Sequence, residues 1–481
     1  MKGSLILKNA IYLLVSNVFV RLISALSTIV VAKYLGAHNY GILSVALSFA
    51  AIAGYFSDSG LTHTLIREAT RSNSNLSELM SSFLKIRIFF ALITAFISVI
   101  IIEILYKDPY LQNVLYWMVM PTILGAALQG VGAVYFQVIE EMKYTALIRG
   151  VSGLITAISL ILGILMKWSL LSLATVYGFS SMIGGLFGIW MVIRRINLTK
   201  GWNFSLLKGL GSFTFGGLMV MMLPQLGPLI LEKVTDLKQV GYFSAAYRIP
   251  SVLYQIPGVL AAAFYPMLFK YGNNKQGGEH LKLSRLQIKL MSALGIIVAL
   301  PFLIYSKWFI EILFGENWLV ASNILSVLSI MVILQSINYP LADSLTTLGM
   351  QNRRSVVLTL AVIMGIGLYI LMGELWGGMG GAIAAIATEL FLTLGFTFGN
   401  PVGKKVIGGV KFNVLTLFII CGLSYFINNR LNPLIGIFAL PIFYILLIVI
   451  FDRSLIKELI VWIKPKDNHN KEVDVRKKDL V

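Results

Sequence analysis

Cysteine occurs once in the 481 residues, at Cys421 inside an apolar run, so no disulfide can close within the chain and cysteine-based metal or redox chemistry has no ligand set. Histidine is almost as scarce. His38, His63, His280 and His469 stand near helix ends, in loops or in the tail, too far apart in sequence to suggest a metal cluster. No G-x-x-x-x-G-K-S/T loop is present, which excludes ATP hydrolysis by that route. Charge is the most telling shortage: 12% of residues are charged and 57% hydrophobic, against about 25% charged in a soluble domain.

What fills the space is apolar sequence long enough to cross about 30 Å of hydrocarbon, repeated along the whole length. The pattern predicts an all-α integral membrane protein with fourteen spans, near 11–32, 41–64, 86–105, 117–139, 149–166, 170–193, 210–231, 241–269, 287–305, 320–345, 355–373, 378–399, 412–427 and 434–451. Met1 to Ala10 with Lys2 and Lys8 looks like the start of a signal peptide. Arg21 interrupts the run that follows and many similar runs come after it, so it reads as an uncleaved first span.

The basic residues test this map, because cytoplasmic connections hold the excess of Lys and Arg. With the N-terminus inside, the odd-numbered segments hold 30 of the 39 basic residues, among them Arg67, Arg71, Lys85 and Arg87 after the second span, and the even-numbered ones hold seven. The remaining two, Arg21 and Arg248, fall within spans. Both termini are therefore expected in the cytoplasm of a multi-pass plasma-membrane protein. The net charge of +18 follows from topology and contact with anionic lipid, with no call for nucleic acid.

The chain also repeats itself. Residues 33–46 read KYLGAHNYGILSVA and residues 233–246 read KVTDLKQVGYFSAA, with Gly41 and Gly241, Ser44 and Ser244, and Ala46 and Ala246 in register. Six helices separate the copies, so both halves have one orientation. Parallel repeats about an axis along the membrane normal form two bundles around a cavity. The expected organisation is a lobe over 1–200, a second over 201–400, a helix pair over 401–451, an interfacial amphipathic helix over 452–464 and a disordered cytoplasmic tail over 465–481. In the amphipathic segment Leu455, Ile456, Leu459, Ile460 and Ile463 share a face.

The segments YLGAHNYGILSVA, FSDSGLTHTLIRE and VGYFSAAYRIPSVLYQIPGVLAAAFYPMLFK resemble the oligosaccharide flippase (Wzx-like) family of the multidrug/oligosaccharidyl-lipid/polysaccharide exporter superfamily. The likeness runs from about Leu5 to Phe451 in helix order and loop length. It implies two six-helix lobes with a central cavity, as in MATE-type exporters and lipid II flippases, plus a C-terminal pair. It also implies translocation of undecaprenyl-pyrophosphate-linked oligosaccharide to the outer leaflet, with polysaccharide polymerase and other assembly proteins as partners, and no cofactor. Lipid II flippases look similar around Arg21 and Arg248 and carry functional cavity arginines there. A further arginine of theirs aligns with Ser27, and one on their second helix has no counterpart near Ala53, which implies a different head group.

Arg21 near the middle of the first span costs at least ~2.5–3.5 kcal/mol there and must face protein or water. Arg248, followed by Pro250 and Pro257 in a long span, has the same problem. A guanidinium is a planar fork suited to phosphate, so the pair would clamp a pyrophosphate. The alternative for each is a carboxylate, a backbone carbonyl or an interface. Glu389, near the middle of the twelfth span, is the candidate for ion coupling, or else a structural partner for an arginine or a helix-packing hydrogen bond. Asp58 and Asp343, towards span ends, read as structural or gating groups. Gln225, Tyr254, Gln255 and Ser27 are candidate sugar or cavity contacts. An enzyme is not expected: membrane polymerases and ligases carry a large outer loop with catalytic arginines or histidines, and every outer connection here is short. A multidrug cation antiporter would want carboxylates in the first lobe, where this chain supplies Arg21.

Overall fold

A computed structural model describes residues 2–71, 75–199, 201–208, 210–427 and 432–452 with Ser454, Leu455 and Glu458; the side chains of 2–19, 21, 22, 212, 213 and 425–427 lie outside the description. In chain order the helices are α1 (Lys2–Phe56), α2 (Leu61–Ala69), α3 (Leu76–Leu105), α4 (Pro109–Val138), α5 (Met142–Leu165), α6 (Leu170–Ile193), α7 (Leu210–Met222), α8 (Leu226–Val234), α9 (Leu237–Leu253), α10 (Gln255–Asn273), α11 (Gly277–Ile304), α12 (Ser306–Phe314), α13 (Ala321–Thr347), α14 (Gln351–Gly399), α15 (Gly403–Ile407), α16 (Lys411–Ile427) and α17 (Pro433–Phe451). The described residues contain no strand.

Twelve of these stretches are long and apolar enough to cross a bilayer. Two of them break in the middle, which brings the number of crossings to the fourteen expected. α1 breaks at Gly36, whose φ of 73° and ψ of 168° no helix contains. α14 breaks at Trp376 and Gly377 (φ 56°, ψ −130°). There the chain doubles back so tightly that a Cβ on Gly380 would fall 1.7 Å from the Met372 carbonyl oxygen. In a straight helix those residues would stand about 12 Å apart.

The expected seventh and eighth spans are also divided. Pro224 sits in a one-turn 3-10 segment, Leu223–Gln225, between α7 and α8. Pro250 and Pro257 flank the break between α9 and α10 at Tyr254, because each lacks the N–H that the helix would use.

Three apolar cores hold the bundle. One joins both halves at the end that carries Gly36, through Val31, Tyr40, Ile42, Tyr242, Phe243 and Trp318. At the opposite end each half has its own core, around Phe83, Val131 and Phe136 in the first and around Phe264, Val332 and Phe396 in the second. There the halves are joined by hydrogen bonds: Tyr55 Oη donates to the Thr214 carbonyl (2.8 Å), Thr214 Oγ1 to the Ser59 carbonyl (2.6 Å) and Arg67 Nη2 to the Lys208 carbonyl (2.7 Å). The shared core is thus closed by dispersion and the far end by a few polar contacts.

After α17 the described residues fold back on α11. The buried Lys289 ammonium meets Asp452 at 3.4 Å, Ser454 at 2.8 Å and Glu458 at 3.1 Å, and Leu455 is buried. The rest of the expected amphipathic segment 452–464 and the tail 465–481 lie outside the described residues.

Candidate functional site

Between the two halves lies a cavity of about 790 Å³, walled by α1, α7, α8, α9, the α9–α10 break and Tyr339 of α13. Arg248 is the charged side chain among the residues that line it. Its Nη2 donates to Ser24 Oγ at 2.8 Å and Thr28 Oγ1 at 3.1 Å, both on α1. Its Nε is buried without a hydrogen-bond partner, and no carboxylate among the described residues pairs with it. A buried donor left unmade costs ~1–3 kcal/mol, and more for a charged group, so this guanidinium has hydrogen-bonding capacity to spare. Gln225, Tyr254 and Gln255 line the same space. They reach it because the chain is broken at Pro224 and at Tyr254.

Ser27 is not in that cavity. It is buried and lines a second chamber of about 360 Å³ enclosed by α1, α4, α5 and α6, which shares Ser24 with the central one. Arg21 lies on the same helix; its side chain is outside the described residues.

Glu389 lines a third chamber, about 180 Å³, which shares Tyr247, Tyr254 and Tyr339 with the centre. Of its two alternative structural readings, the hydrogen bond is the one found: Gln335 Nε2 donates to Oε1 at 2.7 Å and Asn338 Nδ2 to Oε2 at 2.8 Å, and no arginine pairs with it among the described residues. Thr393 Oγ1 completes the network by donating to Asn338 Oδ1 at 2.7 Å.

Asp58 and Asp343 stand away from these chambers. Asp58 Oδ1 takes an ion pair from Arg87 Nη1 at 2.9 Å and a hydrogen bond from Thr62 at 2.7 Å. Arg87 is counted by the charge pattern with the connection after the second span. It is buried instead, three turns into α3, because that helix starts at Leu76 rather than near residue 86. Asp343 Oδ2 accepts from Gln287 Nε2 at 3.0 Å, beside His280, whose Nε2 lies 2.8 Å from Thr347 Oγ1.

Sequence reasoning missed Arg149, which lines the second chamber, and Arg354, which lines the third. The span expected near 149–166 leaves Arg149 at its edge, whereas α5 begins at Met142 and carries it two turns inside. The polar flank EEMKYTALIR hid the helix start, and its only signal was a basic residue at a distance of seven from the first apolar helical position.

A multi-span all-α bundle with broken helices around a central cavity is a fold found among solved membrane transporters. Among solved structures the chain is similar to the lipid II flippase MurJ in an inward closed conformation, with a TM-score of 0.71 at 17% identity over 92% of this chain and 99% of that one. It is also similar to an inward-facing multidrug resistance MATE transporter of the MOP superfamily, with a TM-score of 0.66 at 13% identity over 82% of this chain and 99% of that one. The profile of the polysaccharide biosynthesis protein family matches residues 6–272, and the chain belongs to that family. A putative O-antigen transporter of Shigella flexneri is 24% identical over 406 residues, covering 79% of this chain and 94% of that protein.

Proposed function

We propose that the protein is a flippase that carries undecaprenyl-pyrophosphate-linked oligosaccharide from the cytoplasmic to the outer leaflet of the plasma membrane for surface polysaccharide assembly. The observation that carries this reading is Arg248, a cation without a carboxylate partner among the described residues, set in a cavity where the two copies of the repeat meet. Two lobes, over 1–200 and 201–400, rock about the Gly36 end, which faces outward, while both termini stay in the cytoplasm. The pair over 401–451 lies outside this repeat. Arg21 and Arg248 hold the pyrophosphate, Gln225, Tyr254 and Gln255 meet the sugars, and Glu389 is the coupling carboxylate.

The family is that of polysaccharide biosynthesis proteins, and the Shigella flexneri relative is a putative O-antigen transporter. A cation antiporter would need negative charge at the centre, and among the described residues those that line the central cavity include Arg248 and neither aspartate nor glutamate. Deleting the gene from its host tests the reading. Surface polysaccharide should be lost while undecaprenyl-linked precursor accumulates on the inner leaflet. Intact polysaccharide with raised sensitivity to cationic dyes would overturn it in favour of the antiporter.

A further inference from the structure

The 360 Å³ chamber beside the central cavity is lined largely by polar side chains. Eight of its fourteen lining residues carry a hydroxyl, and Arg149 is its one charged side chain among the described residues. Its volume is within the roughly 300–1,000 Å³ of ligand sites. An apolar lipid tail has no use for such a wall.

Three of these hydroxyls are already oriented. Thr28 Oγ1 donates to the Ser24 carbonyl, Thr122 Oγ1 to the Met118 carbonyl (2.7 Å) and Thr156 Oγ1 to the Ser152 carbonyl (3.0 Å). Each has a carbonyl of its own helix to take its one proton, and Thr28 and Thr156 also meet Arg248 Nη2 (3.1 Å) and Ser180 Oγ (2.9 Å), so what these three have left for the chamber is acceptor lone pairs. A wall of acceptors suits a ligand rich in O–H donors. A guanidinium among them suits a ligand that also bears an anionic oxygen pair, since Arg presents a fork of donors to a carboxylate.

Position links this chamber to the phosphate site. Ser24 and Thr28 line it, and they are the two residues to which Arg248 donates from the central cavity. A pyrophosphate held at Arg248 therefore stands at the chamber mouth, with the sugars attached to it next in line to enter.

We infer that this α1/α4/α5/α6 chamber binds the saccharide part of the lipid-linked substrate, and that the saccharide is acidic, its carboxylate held by Arg149. The inference rests on the flippase reading and adds the class of sugar. Arg149 is then a specificity-determining residue, distinct from the phosphate-binding Arg248.

The test uses the purified full chain in detergent and three probes: farnesyl diphosphate, farnesyl diphosphate bearing a glucose disaccharide, and the same disaccharide ending in glucuronate. The glucuronate probe should bind roughly tenfold tighter than the neutral one, the scale of a charge-assisted hydrogen bond. Arg149→Gln should bring that ratio to about one, and Arg149→Lys should keep part of it because a point charge replaces a fork. If the parental protein binds the neutral and acidic disaccharides equally, or binds farnesyl diphosphate as well as either, the acidic-sugar assignment falls while the flippase reading stands. If it binds none of the three, both fall.

Discussion

Gly41 and Gly241, which hold the same place in the two copies of the repeat, pack backbone against backbone across the junction of α1 and α9. A Cβ on Gly41 would fall 1.9 Å from the Leu237 carbonyl oxygen, and one on Gly241 would fall 1.9 Å from that of Ala37. Ala37 and Leu237 are themselves in register, so the contact is reciprocal, as in an interface across a two-fold axis. The repeat conspicuous in the sequence is therefore the seam at which the halves close on each other.

A side chain on either glycine should hold that seam open. With Cys421→Ser as background and spin labels at His38→Cys and Lys238→Cys, Gly41→Leu should move the inter-label distances to longer values and stop transport. Distances unchanged from those of the parental protein would show that the seam is not where the halves separate.

The opposite end is closed more weakly. Gly217 lies so near Tyr55 that a Cβ there would be 2.2 Å from Oη, and Tyr55 itself is held by the Thr214 carbonyl. Tyr55→Phe removes one hydrogen bond worth about 0.5–1.5 kcal/mol, which should raise the open population severalfold at this end. Alkylation of Ser251→Cys by a membrane-impermeant maleimide from the cytoplasmic side reads this out, and an unchanged rate would remove the latch.

We read the pair between the buried Arg87 and the half-buried Asp58 as structural. Removing Asp58 leaves the buried guanidinium uncompensated at a cost of about 3–5 kcal/mol, and removing Arg87 costs less. Asp58→Ala or Arg87→Ala should lower the melting temperature and the amount of protein in the membrane, and the double variant should fall short of the sum. Additive losses would mean that the two side chains do not act on each other.

Glu389 accepts from two amides, and its carboxylate has no counter-cation among the described residues. Glu389→Gln should slow transport and abolish its dependence on the proton gradient. Parental rate together with parental dependence would leave the residue a purely structural acceptor.

Much of this was legible in the sequence. The apolar segments follow from hydropathy, as do the connections between the first and second and between the eleventh and twelfth of them, where the chain breaks at Gly36 and Gly377. Arg87 and Arg149 were not legible as interior groups. A basic residue on the polar side of an apolar run looks the same whether the helix starts there or two turns earlier, and only the packing of α3 and α5 decides. The side chamber was equally hidden: Ser27, Thr28, Ser152 and Thr156 are ordinary helix residues until α1, α4, α5 and α6 bring them to one wall.

Flipping by reconstituted Arg248→Ala tests the central claim most directly. In vesicles loaded with undecaprenyl-linked precursor, the variant should be folded and inserted as the parental protein is, yet flip at least about tenfold more slowly, the loss expected of a hydrogen bond to a charged group worth about 1.5–3 kcal/mol. Arg248→Lys should recover part of the rate. Parental flipping by Arg248→Ala would contradict the phosphate site and leave this arginine a tie between α9 and α1.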